Sequence, residues 1–398
     1  MKYKEIKNSV KQLIEFILTP VTVKKISFQD IIGLPVKDQG PSVAIAEAIQ
    51  WICRAQDFSK TKDGGVARHY SLINGWGPSY PETTGYIIPT IIKYAEEIND
   101  KNMLDRALKM LDWLVSIQFP DGGFQAGTVE AKVIVPTTFN TGQILLGLAE
   151  GTRKFGDRYR GAMKKAADWI VQTQDSDGCW RKYPTPFAQP GEKSYETHVA
   201  WGLLEAAEVD CNEKYLSSAL ANVRWAIHYQ EKNGWFAKCC LDDPDRPLTH
   251  TLGYVFRGIL EAYKHSKDEA ILNACIRIGD GLLTTINKNG FVPGRLLPDW
   301  KPAVRWVCLT GSVQIAYCWF MLYEYTNDKK YLNAALSVNK FVRRTQKTEG
   351  PEEVRGAIKG SFPVFGGYGT YEYLNWAAKF FIDSNLKEMQ VMNAIGMD

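Results

Sequence analysis

Three glutamates and three histidines recur at comparable places along the chain: Glu82, Glu196 and Glu372, and His69, His198 and His250. Each stands in a loop or among the first residues of an apolar helical run. Imidazole titrates near neutral pH, and a carboxylic acid beside it completes an acid–base pair. Glu82, Glu196, His198, His250 and Glu372 are therefore the candidate catalytic residues. A plainer account covers the same positions. A carboxylate at a helix N-terminus answers the helix dipole, and a histidine there hydrogen-bonds locally. The other two histidines, His228 and His265, fall on outer or terminal helical stretches and read as surface or packing residues.

Flat and charged side chains accompany these groups. The long stretch from Lys62 to Gly85 carries His69, Tyr70 and Trp76 ahead of Glu82. Tyr183 precedes Glu196, Tyr254 and Arg257 follow His250, Arg305 and Trp306 are adjacent, and Lys359 and Tyr373 lie in and just beyond the glycine-rich run Gly356 to Gly369. Aromatic faces stack on sugar rings or stabilise a carbocation. These ten residues, His69, Tyr70, Trp76, Tyr183, Tyr254, Arg257, Arg305, Trp306, Lys359 and Tyr373, are the candidate substrate-binding set. Some of the aromatics are expected simply to fill the core.

The elements that must position them repeat. Trp169-Ile170 is followed by Gln174, Gly178 and Trp180. The same spacing recurs as Trp113, Gln118, Gly122, Phe124 and as Trp225, Gln230, Gly234, Phe236. Looser copies run from Trp51 through Gln56 to Gly64-Gly65, from Leu282 through Asn287 to Gly290-Phe291, and from Phe341 through Gln346 to Gly350. Successive copies lie 62, 56, 56, 57 and 59 residues apart, and six copies at a near-fixed period mean a repeat architecture. Each repeat reads as a helix ending near the Gln, a turn and loop, then a second helix. The second helices start at Glu82-Thr83, Asn140-Thr141, Glu196-Thr197, Thr249-His250, Leu309-Thr310 and Glu372-Tyr373, and the threonine hydroxyls suit N-caps. The expected fold is all-α: an (α/α)6 toroid, six helical hairpins in a ring. Its inner-helix N-termini would share one end and favour an anion there. Arg257, Arg295, Arg305, Arg355 and Lys359 would add to that field.

The Gln-x-x-x-Gly-x-Trp repeat resembles the QW motif of squalene–hopene cyclases, and the six-hairpin ring resembles the β subunit of protein prenyltransferases. Roughly residues 41 to 385 are covered. The resemblance implies a terpenoid cyclase and prenyltransferase-like toroid in which the Gln and aromatic residues tie hairpins together. The same barrel class also carries glycoside hydrolases, polysaccharide lyases and sugar epimerases, so fold does not fix function. The cyclases use an Asp-x-Asp-Asp acid motif; the nearest string here, Asp242-Asp243-Pro244-Asp245, departs from that order. The prenyltransferases hold zinc with an Asp-x-Cys pair and a histidine at the next inner-helix start. Glu196, His198 and His250 stand at the matching starts and are acceptable zinc ligands, although a metal-free protein is the expectation.

Composition narrows the classes further. A 45% hydrophobic share supplies a large core, and a net charge of +4 without charge blocks gives nucleic acid no footprint. No stretch reads as a signal peptide or membrane span. Eight cysteines without a framework spacing suit free thiols in a reducing, cytoplasmic setting. The expected organisation is a helix and linker over 1–40, with Ile6, Val10, Leu13, Ile14 and Ile17 on one helix face and Val21 to Val36 as linker. One toroid follows over 41–388, then a frayed tail over 389–398. The leading functional expectation is acid–base chemistry on an anionic, uronic-acid-containing carbohydrate, as a hydrolase, lyase or epimerase. The alternatives are isoprenoid chemistry, as a cyclase or prenyltransferase, and a non-catalytic glycan- or protein-binding toroid.

Overall fold

The computed structural model describes residues 19–35 and 37–396. The helix expected over 4–18 lies outside them. The described residues form thirteen α-helices and five short strands. The first helix, α1 (Val21–Ile32), occupies the stretch expected as linker.

Twelve helices then alternate in two layers. The outer helices are α2 (Pro41–Asp57), α4 (Lys101–Ile117), α6 (Arg160–Thr173), α8 (Glu213–His228), α10 (Glu269–Leu283) and α12 (Lys329–Arg343). The inner helices are α3 (Pro81–Ile98), α5 (Thr138–Phe155), α7 (Thr197–Asp210), α9 (Thr249–Ser266), α11 (Leu309–Thr326) and α13 (Asn375–Ala394). The last of these extends through 389–394, where a frayed tail was expected. Burial explains the layers. α4 buries Met103, Ala107, Met110, Leu111 and Leu114, a single stripe at helical spacing. α11 is buried from Leu309 to Tyr323 except at Tyr317, as a helix enclosed on all sides must be. Inner helices pack on each neighbour around the ring, and α13 meets α3 to close it. Small residues permit this: a Cβ on Gly147 would lie 2.3 Å from the Gly85 carbonyl oxygen of the next inner helix.

The tight hairpins are offset from the expected ones. Each inner helix packs mainly on the outer helix that follows it across a short turn, and α13 packs on α2. The sixth hairpin is thus made by the two ends of the ring. Asp100, Asn212, Asp268 and Asp328 cap the outer helices, each accepting a hydrogen bond from the backbone N–H two residues on. The inner-helix threonines do not cap. They sit inside the first turn and clamp loops to it, as Thr84 does for Val66 N (3.0 Å) and Thr141 for Phe124 N (3.0 Å).

The repeated Gln is the joint between repeats. Gln118 Nε2 donates to Gly122 O and Ala162 O, both at 3.0 Å, so it holds its own turn and the next outer helix together. Gln174 does the same to Gly178 O (2.9 Å) and Ser218 O (3.0 Å). The turn glycine adopts a positive φ, 92° at Gly178, where a Cβ would lie 2.6 Å from Ala221 O. In the last copy this role falls to Gly356, which accepts from Gln346 Nε2 at 2.9 Å, and not to Gly350. Gln346 also reaches Ala44 O in α2. Strands β1 (His69–Ser71), β2 (Gly75–Trp76) and β5 (Glu372–Leu374) form a small antiparallel sheet in the order β2-β1-β5, with Tyr70 opposite Trp76 on one side and Tyr373 on the other. It ties the first loop to the last at the end where the inner helices begin. Strands β3 (Val307–Cys308) and β4 (Ser361–Phe362) pair nearby.

Candidate functional site

At that end the ring opens into a cavity of about 740 Å³. Five inner-helix starts supply its wall from equivalent places. Counting from Pro81, Thr138, Thr249 and Asn375, the second residues are Glu82, Phe139, His250 and Trp376, and all four line the cavity. A 3-10 turn, Ser194–Glu196, extends α7 backward, so the second residue of that start is Tyr195, which also lines the cavity. Asn140, Tyr86 and Tyr254 add to the wall from their helices, and Arg68, Tyr80 and Tyr368 from the loops.

Aromatic contacts run around this wall. Tyr80 meets Trp376 edge-on at 6.2 Å, Trp376 Nε1 donates to Tyr368 Oη at 2.9 Å, and Tyr368 lies 5.4 Å from the His250 ring. His250 packs on Tyr254 at 4.3 Å, and Tyr254 and Tyr195 both meet Phe139, at 5.2 and 5.4 Å. The Arg68 guanidinium lies 5.2 Å from the Trp376 ring centre.

Two titratable groups in this wall are shifted in opposite directions. Glu82 is buried and accepts a 2.7 Å hydrogen bond from Tyr80 Oη. Burial pushes its carboxyl up to about 7, against the opposing pull of that hydrogen bond and of Arg68. Burial lowers His250 to about 4. Its Nδ1 pairs with Gln314 Oε1 at 2.7 Å, which assigns the proton to Nδ1 and leaves Nε2 as an acceptor. Near neutral pH the cavity therefore holds a carboxyl close to half-protonated and a neutral imidazole.

Of the residues singled out in the sequence, the cavity brings together Glu82, His250 and Tyr254. The others lie elsewhere. Glu196 sits behind Tyr195 with Oε2 buried and unbonded, and burial raises its carboxyl to about 8. His198 binds Gln143 Oε1 at 2.6 Å and faces a small separate void shared with Arg257 and Asp383. Arg257 is held between Trp201 and Tyr317, at 4.1 and 3.9 Å, and pairs with Glu261 at 2.6 Å. Glu372, on β5, accepts from Arg68 at 3.0 Å and lies 3.7 Å from His69 Nε2. Tyr70 and Trp76 pack on each other at 5.1 Å, and Trp76 on Trp51 at 5.5 Å. Tyr183 lies on Trp169 at 4.8 Å. Trp306 is packed against the glycine-rich loop, and Arg305 is exposed. Lys359 is buried in an ion pair with Asp30 of α1 at 2.5 Å, and Tyr373 is buried. Arg295 and Arg355 lie beside Asp242 and Glu47. The positive charge inside the cavity is thus that of Arg68, with Lys132 at its edge.

The donor atoms of Glu196, His198 and His250 do not converge, so they form no zinc site. Among the described residues the one group of three ligands close enough to share an ion is Glu205, Glu261 and His265. There Arg153 and Arg257 already answer the carboxylates, at 3.0 and 2.6 Å. All eight cysteines are free, and no described helix is long and apolar enough to cross a membrane.

Solved structures share this fold. An unsaturated glucuronyl hydrolase specific for heparin superposes with a TM-score of 0.71 at 15% identity, covering 88% of this chain and 97% of the other. D-mannose isomerase gives 0.71 at 12% identity over 89% and 99%. Cellobiose 2-epimerase from Spirochaeta thermophila gives 0.71 at 13% identity over 94% and 98%. No family model matches this sequence, and no curated protein resembles it in sequence.

Proposed function

We propose that this toroid is an enzyme performing acid–base chemistry on an anionic, uronic-acid-containing carbohydrate. One observation carries the reading: a carboxyl raised to about 7 and an imidazole lowered to about 4 line the same aromatic-walled cavity. Such a pair can donate and accept a proton in one turnover near neutral pH. The aromatic wall offers faces for a sugar ring. Arg68 uses Nη1 on His69 and Glu372, so the rest of its guanidinium is available to a substrate carboxylate.

The cavity lining contains one carboxyl group, Glu82, where two-carboxylate glycoside hydrolysis needs a pair. Elimination or epimerisation next to a substrate carboxylate asks only for the groups present. His250 Nε2 removes the proton from the carbon beside the carboxylate. The electron pair moves into that carboxylate, where Arg68 stabilises it. Glu82 then protonates the departing oxygen, or returns a proton to the carbon from the other face. The compared hydrolase and epimerase act on sugars by their names, which supports the substrate class. The isoprenoid reading loses its support at the residue level. Asp242 is paired with Arg295 and Asp243 with Arg246, and neither aspartate lines the cavity, so the acid string is not placed to protonate a substrate there.

The test is a panel of uronic-acid oligosaccharides, neutral disaccharides and isoprenoid diphosphates, followed by thermal shift and then by turnover. Stabilisation and turnover by the acidic sugars are expected, with turnover lost in Glu82→Gln. A response to isoprenoid diphosphates alone would overturn the proposal.

A further inference from the structure

We infer that the rim of the cavity is a second sugar subsite, built on Phe187 and Lys132, and that the substrate is at least a disaccharide whose second ring bears an anionic group. The inference rests on the carbohydrate reading of the cavity. Two loops make this rim: Gly127–Val133 on the way to α5, and Thr185–Phe187 ahead of α7. Both contribute to the same wall as Glu82 and His250, yet their exposure is opposite. Glu82 is 7% exposed and His250 6%, whereas Phe187 is 58% exposed and Val133 58%. An aromatic ring left open at the mouth of an aromatic cavity continues its stacking surface outward.

The rim is also held in shape. Gln125 pairs with Pro136 across the base of the first loop, Ala126 N donates to Val135 O at 2.9 Å, and Gln125 Nε2 donates to Thr128 O at 2.7 Å. Gln189 N anchors the second loop to Leu241 O at 2.7 Å. The Phe187 ring reaches Gly127 so closely that a Cβ there would lie 2.8 Å from Cζ. One edge of Phe187 is fixed in this way and the remainder stays open. Lys132 is exposed and pairs with no carboxylate among the described residues. Glu130, in the same loop, is taken by Lys60 at 3.0 Å. An unpaired ammonium beside an open aromatic face suits a ring carrying a carboxylate or sulfate.

The experiment measures binding by calorimetry in a Glu82→Gln background, so that no sugar is consumed. The probes are a methyl uronide and three disaccharides in which the uronic acid is joined to a neutral, a carboxylated or a sulfated sugar. Phe187→Ala should weaken the disaccharides about tenfold, the size of one aromatic contact, and leave the methyl uronide unchanged. Phe187→Trp should restore them. Lys132→Gln should weaken only the charged disaccharides, and the more affected one identifies the anion. Equal weakening of the methyl uronide and the disaccharides by Phe187→Ala, or no weakening, overturns the second subsite. A Lys132→Gln loss shared by the neutral disaccharide overturns the anionic ring. Binding of no probe at all overturns the carbohydrate reading beneath it.

Discussion

Glu82 owes its unusual protonation to position rather than to a charged neighbour. It stands in the first turn of α3, buried, with a phenol as its hydrogen-bond partner. The activity proposed for the pair requires Glu82 protonated and His250 neutral. Turnover should therefore rise through about pH 4 and fall through about pH 7, read from a kcat/KM profile. Glu82→Gln should remove turnover. It should also change stability in a defined direction. The folded carboxyl titrates at about 7 and an ordinary one at 4.5, so its stabilising contribution is full below 4.5 and lost as pH rises through 7. The Gln variant should be less destabilised than the parent between pH 5 and 8 in urea unfolding, and an unchanged difference across that range would sink the assignment. Glu82 and His250 were visible in the sequence because each sits one residue into a recognisable helix start. Tyr195 was not. The 3-10 turn before α7 begins that start at Ser194, so the place level with Glu82 falls to Tyr195 and not to Glu196, where the sequence reading put it. Phe139 and Trp376 occupy the same place as Glu82, but their helices begin at Thr138 and Asn375, not at the Asn140 and Glu372 read from the sequence, so that place was misnumbered there.

At the scale of the element, the Gln–Gly–Trp unit accounts for most of what the sequence revealed. Its period is set by one outer helix, one inner helix and their connections, and side-chain amides bonded to two backbones demand Gln at that point. The hairpin pairing was not legible, because a linear repeat does not say whether an outer helix packs on the inner helix before or after it. Trp180 is buried and donates from Nε1 to Ile170 O at 2.9 Å. Trp180→Ala should cost about 3–5 kcal/mol in denaturant unfolding, from lost burial and the cavity left behind. A cost below about 1 kcal/mol would show the motif to be dispensable. The α1 helix shows the opposite case, an element hidden by its weak pattern. It earns its place through Asp30, which accepts from Lys359 Nζ at 2.5 Å and from Val364 N at 2.8 Å inside the glycine-rich loop. The same loop carries Tyr368, a cavity wall residue. Asp30→Ala leaves Lys359 buried without its partner and should cost about 3–5 kcal/mol. Loosening of residues 359–368 in hydrogen exchange, ahead of the inner helices, is the accompanying expectation.

Over the whole molecule the ring is closed without a covalent bond, by α13 and α12 against α2 and the chain just before it. Arg343 is the centre of that closure. It is 5% exposed and reaches Asp38 at 2.7 Å, Asn385 at 2.7 Å and Glu388 at 2.7 Å. Gln346 adds its bond to Ala44 O at 3.0 Å, and Trp51 Nε1 donates to Glu353 O at 2.8 Å. An open array of repeats is stabilised by nearest neighbours alone, and its ends fray first. A closed ring has no ends, so weakening one joint is felt by every repeat. Arg343→Ala leaves Glu388 buried and uncompensated, a loss of about 3–5 kcal/mol by analogy with other broken buried pairs. In a closed ring that loss should move the entire urea transition, still as one step, and should weaken ligand binding at the cavity, whose walls come from both sides of the joint. An unchanged global midpoint, with faster hydrogen exchange confined to α2 and α13, would instead mean that the toroid behaves as an open chain of hairpins held in a circle.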